Sequence, residues 1–111
     1  MNWLNIDSVE KIMEIKDLSQ NRRVLIFKYS PKCVVSYIMR GLFEREWHEE
    51  AMKMETHLLN VKEHKELSDK IAKEFGVEHQ SPQILIIEKG KCIFNASHGK
   101  IKVSEIKQFA N

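Results

Sequence analysis

Cysteine is scarce in this chain of 111 residues: only Cys33 and Cys92 occur, and they lie far apart in the sequence. Two separated cysteines make neither a disulfide framework nor a zinc knuckle, because both need several cysteines or close pairs. The five histidines also lack metal-ligand spacing, since zinc motifs group their ligands in tight pairs. The sequence therefore predicts a protein without a structural metal site.

Long apolar segments and a strong charge imbalance are also missing. No apolar stretch approaches the length that crosses a bilayer, and the N-terminus lacks the pattern of a signal peptide. The formal net charge of +2 gives no strong attraction to nucleic acid. No repeat, linker or low-complexity segment interrupts the chain. We therefore expect a cytoplasmic protein that binds neither membranes nor nucleic acid.

What the chain does contain is enough apolar material for one core. The hydrophobic share is 42%, so we expect a single domain over residues 1–111. Helical spacing of apolar residues predicts four helices, and short apolar runs predict four strands at 24–27, 56–61, 83–87 and 92–97, with a possible fifth at 3–6. Helix-linked strands are expected to be parallel, and the last two strands to form an antiparallel hairpin. The predicted class is α/β, a mixed sheet of four to five strands with helices on both faces.

The second predicted helix begins after Pro31 and has a broad apolar face. Its members recur at helical spacing: Val35, Ile38, Met39, Leu42 and Phe43. We expect this face to pack on the sheet.

Cys33 lies where the first long strand gives way to this helix. A helix N-terminus lowers the pKa of a thiol, because the unpaired backbone N–H groups of Val35 and Ser36 favour an anion. Lys32 adds positive charge nearby, and Lys28 does so if it points the same way. The polar, turn-like surroundings favour a reactive thiol over the alternative of a small buried hydrophobic residue.

The order of elements resembles the thioredoxin fold, and two local motifs resemble the monothiol bacilliredoxin family. Residues 27–36 read Phe-Lys-Tyr-Ser-Pro-Lys-Cys-Val-Val-Ser, and residues 80–83 read Gln-Ser-Pro-Gln. In that family a strand ending in Phe-Lys leads to a Cys-x-x-Ser site, and Ser-Pro-Gln opens the next strand. The resemblance implies that Cys33 takes a small-thiol cap from S-bacillithiolated client proteins, with bacillithiol as co-substrate and no bound cofactor.

Ser36 stands where a dithiol motif has its second cysteine. A hydroxyl cannot attack a mixed disulfide, so a low-molecular-weight thiol from outside must resolve it. Ser36 either hydrogen-bonds the thiolate or caps the helix backbone, and the sequence leaves both roles open. The resemblance implies that Pro82 is a cis-proline beside the thiol and that the backbone of Ser81 pairs with substrate. From its charge next to Cys33, we expect Lys32 to contribute to substrate binding. Without the resemblance, Pro82 simply begins a strand.

The chain departs from the family pattern at several positions. The family has histidine in place of Tyr29, threonines near Pro31 and Lys32, and proline in place of Val34. Proline is pre-organised for the first helical turn, so its replacement by valine bears on the pKa and reactivity of Cys33.

Cys92 and two other functions complete the sequence-based hypotheses. Alternation places Cys92 with Phe94 and Ala96 on one apolar side of the last strand, which favours inert burial over a resolving role. An iron-sulfur carrier resembling monothiol glutaredoxins is one alternative, although the bulky Val34 crowds the approach of a cluster. A non-catalytic thioredoxin-like module that binds a partner in the groove near Pro82 is the other.

Overall fold

A five-stranded mixed sheet forms the centre of the computed structural model, which describes all residues 1–111. Its strands are β1 (Trp3–Asn5), β2 (Val24–Tyr29), β3 (Glu55–Asn60), β4 (Gln83–Glu88) and β5 (Lys91–Ser97), in the spatial order β1-β3-β2-β4-β5. Strands β1 and β2 both pair with β3 in parallel, while β2 with β4 and β4 with β5 are antiparallel pairs. The predicted α/β thioredoxin-like fold is confirmed.

Five helices connect or follow these strands. They are α1 (Val9–Leu18), α2 (Val34–Glu46), α3 (Glu49–Met52), α4 (Lys65–Phe75) and α5 (Val103–Ile106). The short α3 has no counterpart among the predicted helices. Gly76 ends α4 in the left-handed conformation, with φ of 66°, which glycine adopts without steric cost. None of the helices combines the length and the apolar character that a membrane span requires.

The expectation that every helix-linked strand is parallel is wrong for β4. Helix α4 connects β3 to β4, yet β4 pairs antiparallel with β2, so that Val24 lies opposite Ile87. The connection from β3 passes beyond β2 and returns the chain in the opposite direction. An apolar run in a sequence predicts a strand but carries no information about its direction.

Helices cover both faces of the sheet and form two separate cores. On one face α2, α3 and α5 enclose a cluster whose fully or nearly fully buried members include Leu25, Phe27, Phe43, Met52, Ile84 and Ile106. On the other face α1 and α4 enclose a second cluster that includes Ile12, Ile26, Leu59, Ile71, Leu85 and Ile87. Because alternate residues of β2 and β4 enter opposite cores, these strands are apolar throughout.

Only part of the apolar face predicted for α2 is buried. Phe43 is 2% exposed, and Met39 packs against the same core. Three other members of the predicted face are exposed: Val35 at 45%, Ile38 at 51% and Leu42 at 39%. The buried stripe follows the i, i+3, i+7 spacing of Ser36, Met39 and Phe43, so the neighbouring apolar stripe faces solvent.

A β-bulge separates Cys92 from Phe94. Ile86 pairs with Phe94 and Ile87 pairs with Cys92, which leaves one additional residue between the two partners on β5. Cys92 consequently packs against the core beneath α1 and α4, whereas Phe94 packs against the opposite core. The prediction that these two side chains share one side of the strand is wrong, because simple alternation does not account for an inserted residue.

Candidate active site around Cys33

Cys33 is the N-cap residue of α2, at the end of the loop that leaves β2. Its backbone is extended, with φ of −96° and ψ of 120°. The Cys33 N–H donates to the carbonyl of Ser30 at 3.1 Å, and the N–H of Tyr37 donates to the Cys33 carbonyl at 3.1 Å. A tight turn on one side and the first helical hydrogen bond on the other therefore fix the position of the half-buried thiol.

The pKa of the Cys33 thiol is lowered from its ordinary value, and the main cause is the backbone N–H of Ser36. Desolvation, the second-largest effect, raises this pKa, while the N–H of Val35 and the Ser36 hydroxyl lower it further. These groups are the unpaired donors of a helix N-terminus, which stabilise an anion. More of the thiol is therefore ionised at neutral pH, and the thiolate is the nucleophilic form.

Ser36 connects the thiol to two neighbouring loops. Its side chain is fully buried, and its Oγ accepts a hydrogen bond from the N–H of Ser30 at 3.2 Å. The Ser36 Oγ also lies 3.4 Å from the Oγ of Ser81. The hydroxyl thus contacts the loop before Cys33 and the loop before β4, and it also lowers the pKa of the thiol. Of the two roles left open by the sequence, this lowered pKa supports the thiolate contact, since Ser36 Oγ bonds to Ser30 and Ser81 rather than to the helix backbone.

Ser81 and Pro82 lie beside this site at the beginning of β4. The peptide bond between them is cis. The Pro82 carbonyl accepts a hydrogen bond from the N–H of His98 at 3.0 Å, and the side-chain Nε2 of Gln83 donates to the Glu78 carbonyl at 3.0 Å. The first contact ties the loop to the end of β5 and the second closes the loop on itself, so the half-buried Ser81 has a fixed position next to Ser36.

Lys28 does not belong to the site. Its Nζ donates to the carbonyl of Ser68 in α4 at 3.2 Å, on the face of the sheet opposite α2. Burial lowers the pKa of Lys28 to about 8, although the carboxylate of Asp69 acts in the opposite direction. Lys32, by contrast, is exposed in the turn directly before Cys33.

Cys92 lies at the far end of β4 from the site. It pairs with Ile87, four residues beyond Gln83, and four strand residues span roughly 13 Å. A disulfide needs Cα atoms within about 7 Å, so Cys92 cannot pair with Cys33 in this fold. Its thiol donates to the Phe94 carbonyl at 3.2 Å, and burial raises its pKa.

One residue near the site was not predicted from the sequence. The parallel pairing of β2 and β3 places Tyr29 opposite Asn60, so the turn after β3 runs beside the turn before Cys33. Lys62 lies in that turn, and its side chain contacts Lys32. The only available signal was the pairing of the two strands, because Lys62 belongs to no motif.

The family can be assigned at this point. The profile of the family described as monothiol bacilliredoxin BrxC matches residues 4–106, which is nearly the whole chain. The chain belongs to the monothiol bacilliredoxin family. A solved structure described as a candidate oxidoreductase with a thioredoxin fold is similar, with 29% identity and a TM-score of 0.82 over 96% of this chain and 91% of that one.

More distant thioredoxins share only the fold. Fasciola hepatica thioredoxin is 15% identical, with a TM-score of 0.71 over all of both chains. Schistosoma mansoni thioredoxin is 11% identical, with a TM-score of 0.73 over 98% of this chain and 93% of that one. Family and fold together support a thiol redox role for this bacilliredoxin family member.

Proposed function

We propose that the protein removes bacillithiol from mixed disulfides on client proteins, with Cys33 as the nucleophile. The observation that carries the proposal is the position of Cys33 at the N-cap of α2, where N–H groups of Val35 and Ser36 hold its pKa low. The distance of Cys92 adds a second point, since no other thiol of the chain is available to resolve an intermediate. The chemistry is therefore that of a single exchanging thiol.

The reaction consists of two balanced exchanges. The Cys33 thiolate attacks the bacillithiol sulfur of a capped protein, forms a Cys33–bacillithiol disulfide and releases the client cysteine as a thiolate. The thiolate of a second bacillithiol molecule then attacks the bacillithiol sulfur of this intermediate. Bacillithiol disulfide forms and the Cys33 thiolate is regenerated. Overall, one mixed disulfide and one free bacillithiol become one client thiol and one bacillithiol disulfide, with no net gain or loss of electrons.

The neighbouring groups support these steps in different ways. The N–H groups of Val35 and Ser36 stabilise the Cys33 thiolate both as attacking group and as leaving group, which makes it easy to displace in the second step. The fixed backbone before Pro82 offers the Ser81 peptide groups to the client segment next to the disulfide. Lys32, exposed beside the thiol, attracts anionic groups of the cap.

Mass spectrometry of the intact protein tests the proposal. The reduced protein is incubated separately with bacillithiol disulfide and with glutathione disulfide, and the adduct is located by peptide mapping. We expect one bacillithiol adduct on Cys33, formed faster than the glutathione adduct. Cys33→Ala removes the adduct, whereas Cys92→Ala, the matched control, retains it.

Two outcomes contradict the proposal. A Cys33 thiol whose pKa equals that of a free cysteine, about 8.5, would remove the basis for nucleophilic attack. A Cys33→Ser variant that co-purifies stably with one partner, combined with a wild type that shows no turnover with bacillithiol, would support a binding module instead.

A further inference from the structure

Two turns bring lysine side chains together beside the nucleophile. Strands β2 and β3 are parallel neighbours, with Tyr29 opposite Asn60, and both chains leave the sheet at the same edge. The N–H of Val61 donates to the Tyr29 carbonyl at 2.9 Å, which extends the pairing into the turns. Lys32 and Lys62 follow in these two turns, where both are exposed and in contact with each other, and Lys32 directly precedes Cys33.

Backbone hydrogen bonds fix the origin of both side chains. The N–H of Lys62 donates to Oδ1 of Asn60 at 3.0 Å, and the N–H of Glu63 donates to the same atom at 3.2 Å. On the other side, the Cys33 N–H closes the turn that contains Lys32 by donating to Ser30. The fold therefore holds the backbones of the two lysines close together, and the flexible side chains only complete the contact.

The protein itself does not neutralise this pair. None of the ion pairs in the structure includes Lys32 or Lys62. The nearest carboxylate in sequence, that of Glu63, is directed to His64 at 3.9 Å. The contact with Lys32 lowers the pKa of Lys62, as repulsion between like charges requires. An anion bound between the two ammonium groups would remove this repulsion.

We propose that Lys32 and Lys62 bind the carboxylates of the small thiol that exchanges at Cys33. The inference rests on the proposed function, since it requires a small thiol at Cys33, and it adds the part of that thiol which is recognised. The ligand class is a low-molecular-weight thiol with more than one carboxylate remote from its sulfur. The malyl group of bacillithiol has this chemistry, while its sugar amide has no charge for the lysines to bind.

The affinity expected from such a site is modest and depends on salt. Both lysines are exposed, so each ion pair with a ligand carboxylate is weak. For two such pairs we expect about a 2–30-fold effect on kcat/KM, which screening reduces strongly at about 1 M salt. We expect this change in kcat/KM only with thiol substrates that carry carboxylates.

The test compares bacillithiol disulfide with the disulfide of its malyl-free analogue, cysteinyl-glucosamine, as substrates for Cys33 exchange. The variants are Lys32→Gln, Lys62→Gln and the double variant. Lys91→Gln is the matched control, because Lys91 begins β5 at the opposite end of the sheet and its loss changes the net charge equally. We expect the double variant to lose about 2–30-fold in kcat/KM on bacillithiol disulfide and less than about twofold on the analogue.

The remaining outcomes overturn the proposal, and they separate it from the proposed function. Equal losses on both substrates would mean that the lysines act on the thiolate rather than on carboxylates. If the wild type exchanges with both disulfides equally well, the proposed carboxylate site is contradicted, while Cys33 is still supported as the exchanging thiol. A wild type whose Cys33 reacts with iodoacetamide but exchanges with neither disulfide would end both proposals.

Discussion

The hydroxyl oxygens of Ser36 and Ser81 lie 3.4 Å apart, although one residue belongs to α2 and the other to the loop before β4. Ser36 Oγ has two lone pairs and one proton. The Ser30 N–H occupies one lone pair, and the lowered pKa of Cys33 supports a proton directed to the thiolate, because a charged acceptor gives the stronger hydrogen bond. The second lone pair is then free to accept the Ser81 O–H.

We expect Ser36→Ala to raise the pKa of Cys33 while leaving it below that of a free cysteine. The substitution removes the hydroxyl but keeps the backbone N–H of residue 36, which is the main cause of the lowered pKa. A hydrogen bond of typical strength corresponds to about 2–10-fold slower alkylation by iodoacetamide at neutral pH. The measurement is the alkylation rate against pH, which rises with the thiolate fraction and levels off above the pKa. Ser104→Ala, an exposed serine in α5, is the control, and an unchanged profile for Ser36→Ala would contradict the thiolate contact.

We expect Ser81→Ala to raise the pKa of Cys33 only when Ser36 is present. Ser81 contacts the Ser36 hydroxyl and not the thiol, and with Ser81 as the donor of this pair the Ser36 hydroxyl becomes a stronger donor itself. In the Ser36→Ala background the additional Ser81→Ala change then leaves the pKa of Cys33 unchanged. Alkylation profiles of the wild type, both single variants and the double variant form a complete mutant cycle. Equal shifts in both backgrounds would show that Ser81 acts on the thiol independently.

We expect Cys92→Ala to keep the exchange activity within about twofold and to lower the free energy of unfolding by about 1 kcal/mol. The half-buried Cys92 side chain packs against the core beneath α1 and α4, and its removal deletes apolar contacts. Urea denaturation measures the stability, and exchange with bacillithiol disulfide measures the activity. Cys33→Ala gives the reciprocal result, loss of exchange with little change in stability. Loss of exchange in Cys92→Ala would assign a redox role to this cysteine.

We expect Lys28→Met to stabilise the protein at neutral pH by an amount on the order of 1 kcal/mol, since solvation and the Asp69 contact offset part of the burial cost. The pKa of Lys28 is about 8 in the fold and about 10.4 in the unfolded chain. Between these pH values the unfolded chain binds more protons, so the penalty for burying charged Lys28 is complete below pH 8 and declines as the pH rises. Urea denaturation of both proteins from pH 7 to about 10 should therefore show the difference shrinking. Lys73→Met, at an exposed position of α4, is expected to change stability by less than about 0.5 kcal/mol throughout.

The sequence predicts the helices and strands of this fold better than it predicts how they pair and pack. Apolar spacing located four strands and four helices and indicated a possible fifth strand, because burial on one or both faces imposes a period that can be read directly. The direction of β4 and the bulge opposite Ile87 could not be predicted in this way, since both depend on pairing partners remote in sequence. The exposed stripe of α2 was missed for a related reason: apolar residues outnumber the positions that the core covers.

The residues of the candidate site also fall into those that the sequence could predict and those that it could not. Cys33 and Ser36 could be singled out because a strand-to-helix junction has a local signature, and the resemblance to bacilliredoxins added Ser81 and Pro82. Lys62 could not be found, since only the register of β2 against β3 brings its turn next to Lys32. The Lys28 side chain points to the face of the sheet opposite α2. Strand alternation predicts which residues of β2 share a face with Lys28, but it does not predict which of the two faces α2 covers.

The separation of Cys33 from Cys92 along β4 has a consequence for how the oxidised protein can be observed. In a dithiol protein the oxidised form is an internal disulfide, which contains no part of the molecule that oxidised it. Here the two sulfurs cannot meet, so a disulfide formed at Cys33 must join it either to a foreign thiol, whose mass it then carries, or to another chain. Intact masses of the protein isolated from cells under acid quench would therefore record which small thiols it had met, and in what proportion.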